Sequence, residues 1–367
     1  MALCRPSFRS GLVCLHLCMT LLTAVSAWAK DIVVSSESEF NAAVKQLAPG
    51  DALILKNGIW NNFEILFEGQ GTADKPILLR PETTGGVIIS GQSNLRLAGE
   101  YLQVSGLVFK DGFTPTEAVI SFRRDKDHLA NHSRVTEVVI DSFNNPDRFE
   151  ADYWIALYGK HNRFDHNHIS GKKNKGVTLA VRLDTVRSRD NKHRIDHNYF
   201  GPRQSLGSNG GETLRVGTSH YSLDNSATTI DHNFFDRCSG EVEIVSIKSA
   251  SNVVTDNIFA ESKGTLTLRH GRGNVIERNV FLGNGVDHTG GIRVINQDQV
   301  IRHNYMEGLT GYRFGGAFVV MNGVPNSPIN RYHQVDNAVM EGNSIIESDH
   351  IELAAGSDQE RSAVPVN

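Results

Sequence analysis

One short phrase recurs along the second half of this chain and restricts what it can fold into. An apolar residue, two mostly polar residues and an asparagine return as Phe164-Asp165-His166-Asn167, Ile195-Asp196-His197-Asn198 and Ile230-Asp231-His232-Asn233. They return again as Val254-Thr255-Asp256-Asn257, Ile276-Glu277-Arg278-Asn279 and Ile301-Arg302-His303-Asn304, with a degenerate copy ending at Asn343. Successive asparagines lie 31, 35, 24, 22, 25 and 39 residues apart. The shorter gaps fit one coil of a solenoid, and the longer ones fit a coil carrying an inserted loop. A coil of about three short strands cannot bury its apolar side chains alone, but stacked coils bury them in one column. Leucine-rich repeats lack their leucine pattern here, and propeller blades need a longer period. The expectation is an all-β chain, a right-handed single-stranded parallel β-helix. Asparagine suits its turns because it tolerates left-handed backbone, and stacked asparagines can hydrogen-bond from coil to coil. Ile244, Leu268 and Ile292, each 24 residues apart, are expected to form one inward column.

A short helix is expected to cap the open first coil. Ser36 with Glu39 has capping-box spacing, Phe40, Val44 and Leu47 share one face up to about Leu47, and Pro49-Gly50 stops it. Before it, residues 1–29 read as a signal peptide: Arg5 and Arg9, an apolar stretch from Gly11 to Val25, and Ala27-Trp28-Ala29 as the cleavage site. The expected product is a β-helix of residues 30–367, secreted or periplasmic. Removing the leader takes three of the four cysteines and leaves Cys238, so no internal disulfide is expected. It also takes two arginines and no acid, which moves the formal net charge from −4 to −6. That balance excludes a globally basic nucleic-acid binder, and no other apolar run is long enough to span a membrane.

The densest chemistry lies between residues 209 and 293. Glu241-Val242-Glu243-Ile244 alternates, so both carboxylates leave one face of a strand and can hold a hard cation such as Ca²⁺. Two solvated glutamates on an outer strand is the plainer reading. Lys248 follows Glu243 by five residues, which on an unbroken strand puts it on the opposite face; a turn near Val245–Ser246 is needed to bring it round. Arg269 and Arg293 are 24 residues apart, one coil, and with Lys248 they would make an outward cationic ladder suited to a polyanionic sugar. The clef's local field, rather than the net charge, governs such binding. His270 adjoins this ladder, whereas His166, His197, His232 and His303 read as turn or ladder residues.

These residues resemble polysaccharide lyase family 6, the alginate lyase and chondroitinase B family. The resemblance is carried by Gly58-Ile59-Trp60 with Gly71-Thr72, Asn209-Gly210-Gly211-Glu212-Thr213-Leu214-Arg215, and Glu241 to Ser249. Leu268-Arg269-His270-Gly271 and Asn322 to Pro328 add to it, and the likeness spans roughly residues 31–367. It implies Ca²⁺ held by Asn209, Glu241 and Glu243, a base at Lys248 and an acid at Arg269; Arg215, His270 and Arg293 are the further residues expected on substrate carboxylates. The implied reaction is β-elimination on a uronate polysaccharide, alginate first and dermatan-type glycosaminoglycan second. A neutral lysine would take the C5 proton, a form that nearby positive charge favours. A guanidinium is a poor proton donor, so Arg269 would steady the leaving oxygen while water or His270 supplies the proton. A β-helix glycoside hydrolase would need outward paired Asp, which the 241–293 strands lack. A non-catalytic glycan-binding β-helix is the remaining alternative. Members of the family usually continue beyond Ala355-Gly356-Ser357-Asp358 to Pro365; here the pattern stops inside that segment, and exposed apolar coil surface is expected there.

Overall fold

A computed structural model describes residues 1–2, 29–207, 209–356 and 363–367. The leader reading falls almost wholly outside the described residues. Three long parallel sheets, of twelve, twelve and eleven strands, run through the rest. Each strand pairs with its counterpart one coil on: Leu214–Gly217 with Glu243–Lys248, that strand with Gly264–His270, and Gly264–His270 with Thr289–Val294. This is the expected parallel β-helix. Its interior is one continuous apolar column, including a stack of Phe200, Phe235, Phe259 and Phe281 with ring centroids 5.0, 4.5 and 4.6 Å apart.

The recurrent asparagines form a ladder. Each backbone N–H from Asn167 to Asn304 donates to the side-chain oxygen of the next asparagine, ending on Asn343, at 3.0–3.1 Å. The left-handed residue of each turn is not the asparagine but the one before it: His166, His197, His232, Asp256, Arg278 and His303 have φ of 54–57°. The asparagine is therefore selected by its amide side chain, which pairs buried turn N–H groups that strands cannot reach. The histidines stack outside it, His166 on His197 on His232, with centroids 4.9 Å apart. Two further buried runs share this pattern: Asn162 N–H donates to His193 Nδ1, and Thr228, Asn252 and Asn274 N–H donate in turn to the side-chain oxygens of Asn252, Asn274 and Gln299.

Glu37–Ala43 is the helix, followed by a 3₁₀ turn at Val44–Gln46. Ser36 Oγ accepts the Glu39 N–H at 3.2 Å, while the Glu39 carboxylate takes the Ser35 rather than the Ser36 N–H. Phe40, fully buried, lies edge-on to Phe63 and closes the first coil. At the other end Ile351 and Leu353, in strand Ile351–Ala355, are exposed. The inward columns differ from expectation by a register step. Val245 faces Leu266, which faces Ile292, while Leu268 pairs with Ile247 and Val294.

Candidate functional site

That register step creates the site. Between Glu243 and Val245 the pairing with the next coil skips a residue, and Ile244 and Val245 both enter the core. A bulge of this kind reverses the alternation beyond it. Glu243, Ser246 and Lys248 thus share the outer face, and the Ser246 hydroxyl donates to Glu243 Oε2. The direction change that Lys248 needs is a bulge at Ile244–Val245, one residue before the expected turn. A second bulge leaves Arg269 as the extra residue between Leu268, opposite Ile247, and His270, opposite Lys248.

Charges of both signs alternate across this face. Glu212 Oε1 lies 3.3 Å from Arg215 Nη1 and 3.5 Å from Lys248 Nζ. Glu243 lies 3.9 Å from Lys248, 3.7 Å from Arg269 and 3.8 Å from Arg293. The Arg269 guanidinium donates to the carbonyls of Arg331 and Asn330 at 3.2 and 3.4 Å and sits 4.4 Å from the Tyr332 ring centroid. Arg293 donates to the Tyr332 hydroxyl at 3.1 Å.

Two of the expected substrate contacts are buried. His270 is 1% exposed, and its Nε2 lies 3.1 Å from Ser219 Oγ. Burial, with Arg269 and Lys248 nearby, pushes it down to about 3, so it is a neutral ring and offers no cation. Arg293 is 3% exposed and turned onto Glu243 and Tyr332. Nor do Lys248, Arg269 and Arg293 form a ladder: Arg293 shares its column with Thr267, Ser246 and Arg215. Arg215, by contrast, lines a groove of about 750 Å³ with Arg182, Tyr221, Lys248 and Asn330. A smaller cavity of about 400 Å³ is lined by Glu241 with Lys263, His288, Tyr312 and Phe314.

Glu241 precedes the strand, and its Oε2 accepts the N–H groups of Gly210 and Gly211 at 2.9 and 3.1 Å. Asn209, exposed, is the neighbouring loop residue. Burial, then the Glu212 carboxylate and also Glu243, push Glu241 up to about 7. Glu212 is buried at a cost to its charge, yet Arg215 and Lys248 hold it below the usual carboxylate range. Its Oε2 is buried with no hydrogen-bond partner. Among the described residues no three His, Cys, Asp or Glu side chains already stand close enough to hold a metal. The donor chemistry nonetheless fits a hard cation: oxygen ligands, mutually repelling carboxylates and an orphaned buried oxygen. Glu212 and Tyr332 also contact this cluster, and the spacing did not single them out. Glu212 stood in the Asn209–Arg215 motif, three residues before Arg215; Tyr332 lies 63 residues beyond Arg269 and gave no local signal. Cys238 is fully buried, and burial pushes its thiol up to about 12.

A family model described as chondroitinase B matches residues 34–367. Among solved structures, the PL6 family alginate lyase AlyGC is similar at 66% identity and a TM-score of 0.91, over 92% of this chain and 46% of that one. A mannuronic acid specific polysaccharide family 6 lyase from human gut microbiota is similar at 38% identity and a TM-score of 0.83, over 89% of this chain and 76% of that one. A PL6 alginate lyase in complex with a trisaccharide is similar at 25% identity and a TM-score of 0.74, over 87% and 72%. The chain thus spans about half the length of AlyGC. A comparison with curated proteins gave no match.

Proposed function

The chain belongs to polysaccharide lyase family 6, the chondroitinase B family, and we propose that it cleaves alginate by β-elimination. The observation that carries this reading is one outward face on which Lys248, Arg215 and Arg269 meet two buried carboxylates, beside a groove lined by cations and tyrosine. Such a face suits a polymer with a carboxylate on every sugar. Similarity to alginate lyases, one of them bearing a trisaccharide, supports the choice of polymer.

In this reading Arg215 and Arg182 engage uronate carboxylates and orient the ring. Lys248 is the base that takes the C5 proton. The electron pair of that C–H bond forms the C4–C5 double bond, and the bond from C4 to the glycosidic oxygen breaks. The Arg269 guanidinium, fixed by two carbonyls and the Tyr332 ring, stabilises charge on the departing oxygen. With His270 buried and neutral, water supplies the final proton. Ca²⁺ is the proposed cofactor, with Asn209, Glu241 and Glu243 as ligands and Glu212 beside them. When bound, a divalent ion supplies Lewis acidity toward the substrate carboxylate, which makes the C5 proton easier to remove. Export through the leader would deliver the enzyme to extracellular or periplasmic polymer.

The test is the ultraviolet absorbance of the unsaturated product from alginate, with and without chelator, for the wild type and Lys248→Ala. A rise that needs both calcium and Lys248 is expected. The family description also names chondroitinase B, so dermatan sulfate is the second substrate in the assay. Binding without turnover on either polymer would favour a glycan-binding role.

A further inference from the structure

Beneath the loop that carries Asn209 and Glu212 lies a buried cation that the reaction does not use. Arg203 is 4% exposed. Its Nη1 donates to the Glu212 carbonyl at 2.6 Å and to Thr178 Oγ1 at 2.9 Å. Its Nη2 donates to the carbonyls of Gly176 and Gly210 at 2.7 and 3.3 Å. The carbonyls of residues 210 and 212 therefore point down at one guanidinium. The N–H groups of residues 210 and 211 point the other way, onto Glu241 Oε2. A planar fork with fixed donors sets peptide orientation in a way a point charge cannot.

From this arrangement we propose that Arg203 is a positioning residue, which presets the 209–212 loop so that Asn209, Glu212 and Glu241 are ready for the cation. The inference rests on the calcium reading above and extends it to a residue that touches neither metal nor sugar. Substitution need not unfold the chain. The Gly210 carbonyl also accepts the Gly176 N–H at 2.9 Å, and the Glu212 carbonyl also accepts the Thr178 N–H at 3.1 Å. What is lost is the second donor to each, and with it the loop's fixed orientation.

The experiment titrates Ca²⁺ alone into metal-free wild type, Arg203→Lys and Arg203→Met by calorimetry. Hydrogen exchange of the peptide spanning residues 205–213 is measured on the same samples. Outer partners of metal ligands are typically worth about 10–100-fold in affinity. Both variants are expected to bind calcium at least about tenfold more weakly, by that same measure. They should also exchange the 210 and 211 amides faster, while exchange in the Asn233–Asn304 ladder stays unchanged. Unchanged affinity with unchanged local exchange would overturn the proposal. Faster exchange throughout the chain would also overturn it, by reducing Arg203 to a general core residue. If the wild type binds no calcium, the calcium reading fails by itself, and the exchange of residues 210 and 211 decides whether Arg203 orders the loop.

Discussion

Replacing Asn257 by alanine removes one rung from the middle of the asparagine ladder. Its side-chain oxygen accepts the Asn233 N–H and the Asn233 side-chain amide, both at 3.0 Å. Its side-chain nitrogen donates to the carbonyls of Ile230 and Thr255 at 2.9 and 3.0 Å and to Asn279 Oδ1 at 2.9 Å. The site is fully buried, so water does not replace these partners. An orphaned buried N–H costs about 1–3 kcal/mol, and each further lost hydrogen bond about 1 kcal/mol. The expected loss is about 4 kcal/mol, after allowing for three acceptors that share the two amide hydrogens. Asn343→Ala removes the same kind of rung at the half-buried end of the ladder. There the side chain serves Asn304 and the Ile301 carbonyl only, and water can enter. Its expected cost is about 1 kcal/mol. Urea unfolding followed by circular dichroism compares the two midpoints. Equal costs, or an Asn257→Ala loss below about 1 kcal/mol, would refute the view that the amide ladder, rather than turn conformation, explains the repeat.

Two further perturbations test the site and the core. Glu212→Gln keeps shape but removes the charge facing Arg215 and Lys248, whose side chains are 17% and 18% exposed. Activity should fall by about 10–100-fold with little change in fold, as for other residues that orient catalytic groups; steady-state rates at saturating alginate check this, and undiminished rates would remove Glu212 from the site. His193 is pushed by burial down to about 3, well below the ordinary 6.5, and its Nε2 has no partner. Because the folded value lies below the unfolded one, stability is complete above pH 6.5 and is lost as the pH falls from there toward 3. The loss approaches about 1.4 kcal/mol per pH unit for this one group. His193→Asn, which keeps a side-chain acceptor for the Asn162 N–H without a titrating ring, should flatten the acid limb of a midpoint-versus-pH curve; an unchanged limb would contradict the assignment.

The repeat made the fold legible because coil stacking imposes the same demand on every turn. Asn167 through Asn343 could be read as one ladder without any knowledge of the strands. The capping helix was legible for a similar reason, since Ser36, Glu39 and Phe40 act locally. The other buried side-chain runs were not, because His193, Asn252, Asn274 and Gln299 accept backbone N–H groups in one way with three residue types. The site was partly legible. Glu243 and Lys248 stood out, but strict alternation placed them on opposite faces. The bulge that unites them depends on which backbone groups of the next coil are paired, and no residue type in Glu243–Lys248 announces it. Arg293 looked outward by the same counting and does share the column of Ser246 and Thr267, but the rings of Tyr332 and Phe314 cover it. Tyr332 reaches Arg269 and Arg293 from a loop far along the chain, a contact that only the folded stack creates.

The central claim is that this face eliminates across a uronate linkage with Lys248 as the base. Its most direct test follows the ultraviolet absorbance of alginate incubated with the wild type and with Lys248→Ala, both verified as folded by circular dichroism. The account predicts a calcium-dependent rise for the wild type and a loss of at least about a hundredfold for the variant, in the range of a general base's contribution. New reducing ends without any absorbance rise, or a Lys248→Ala protein as fast as the wild type, would contradict it.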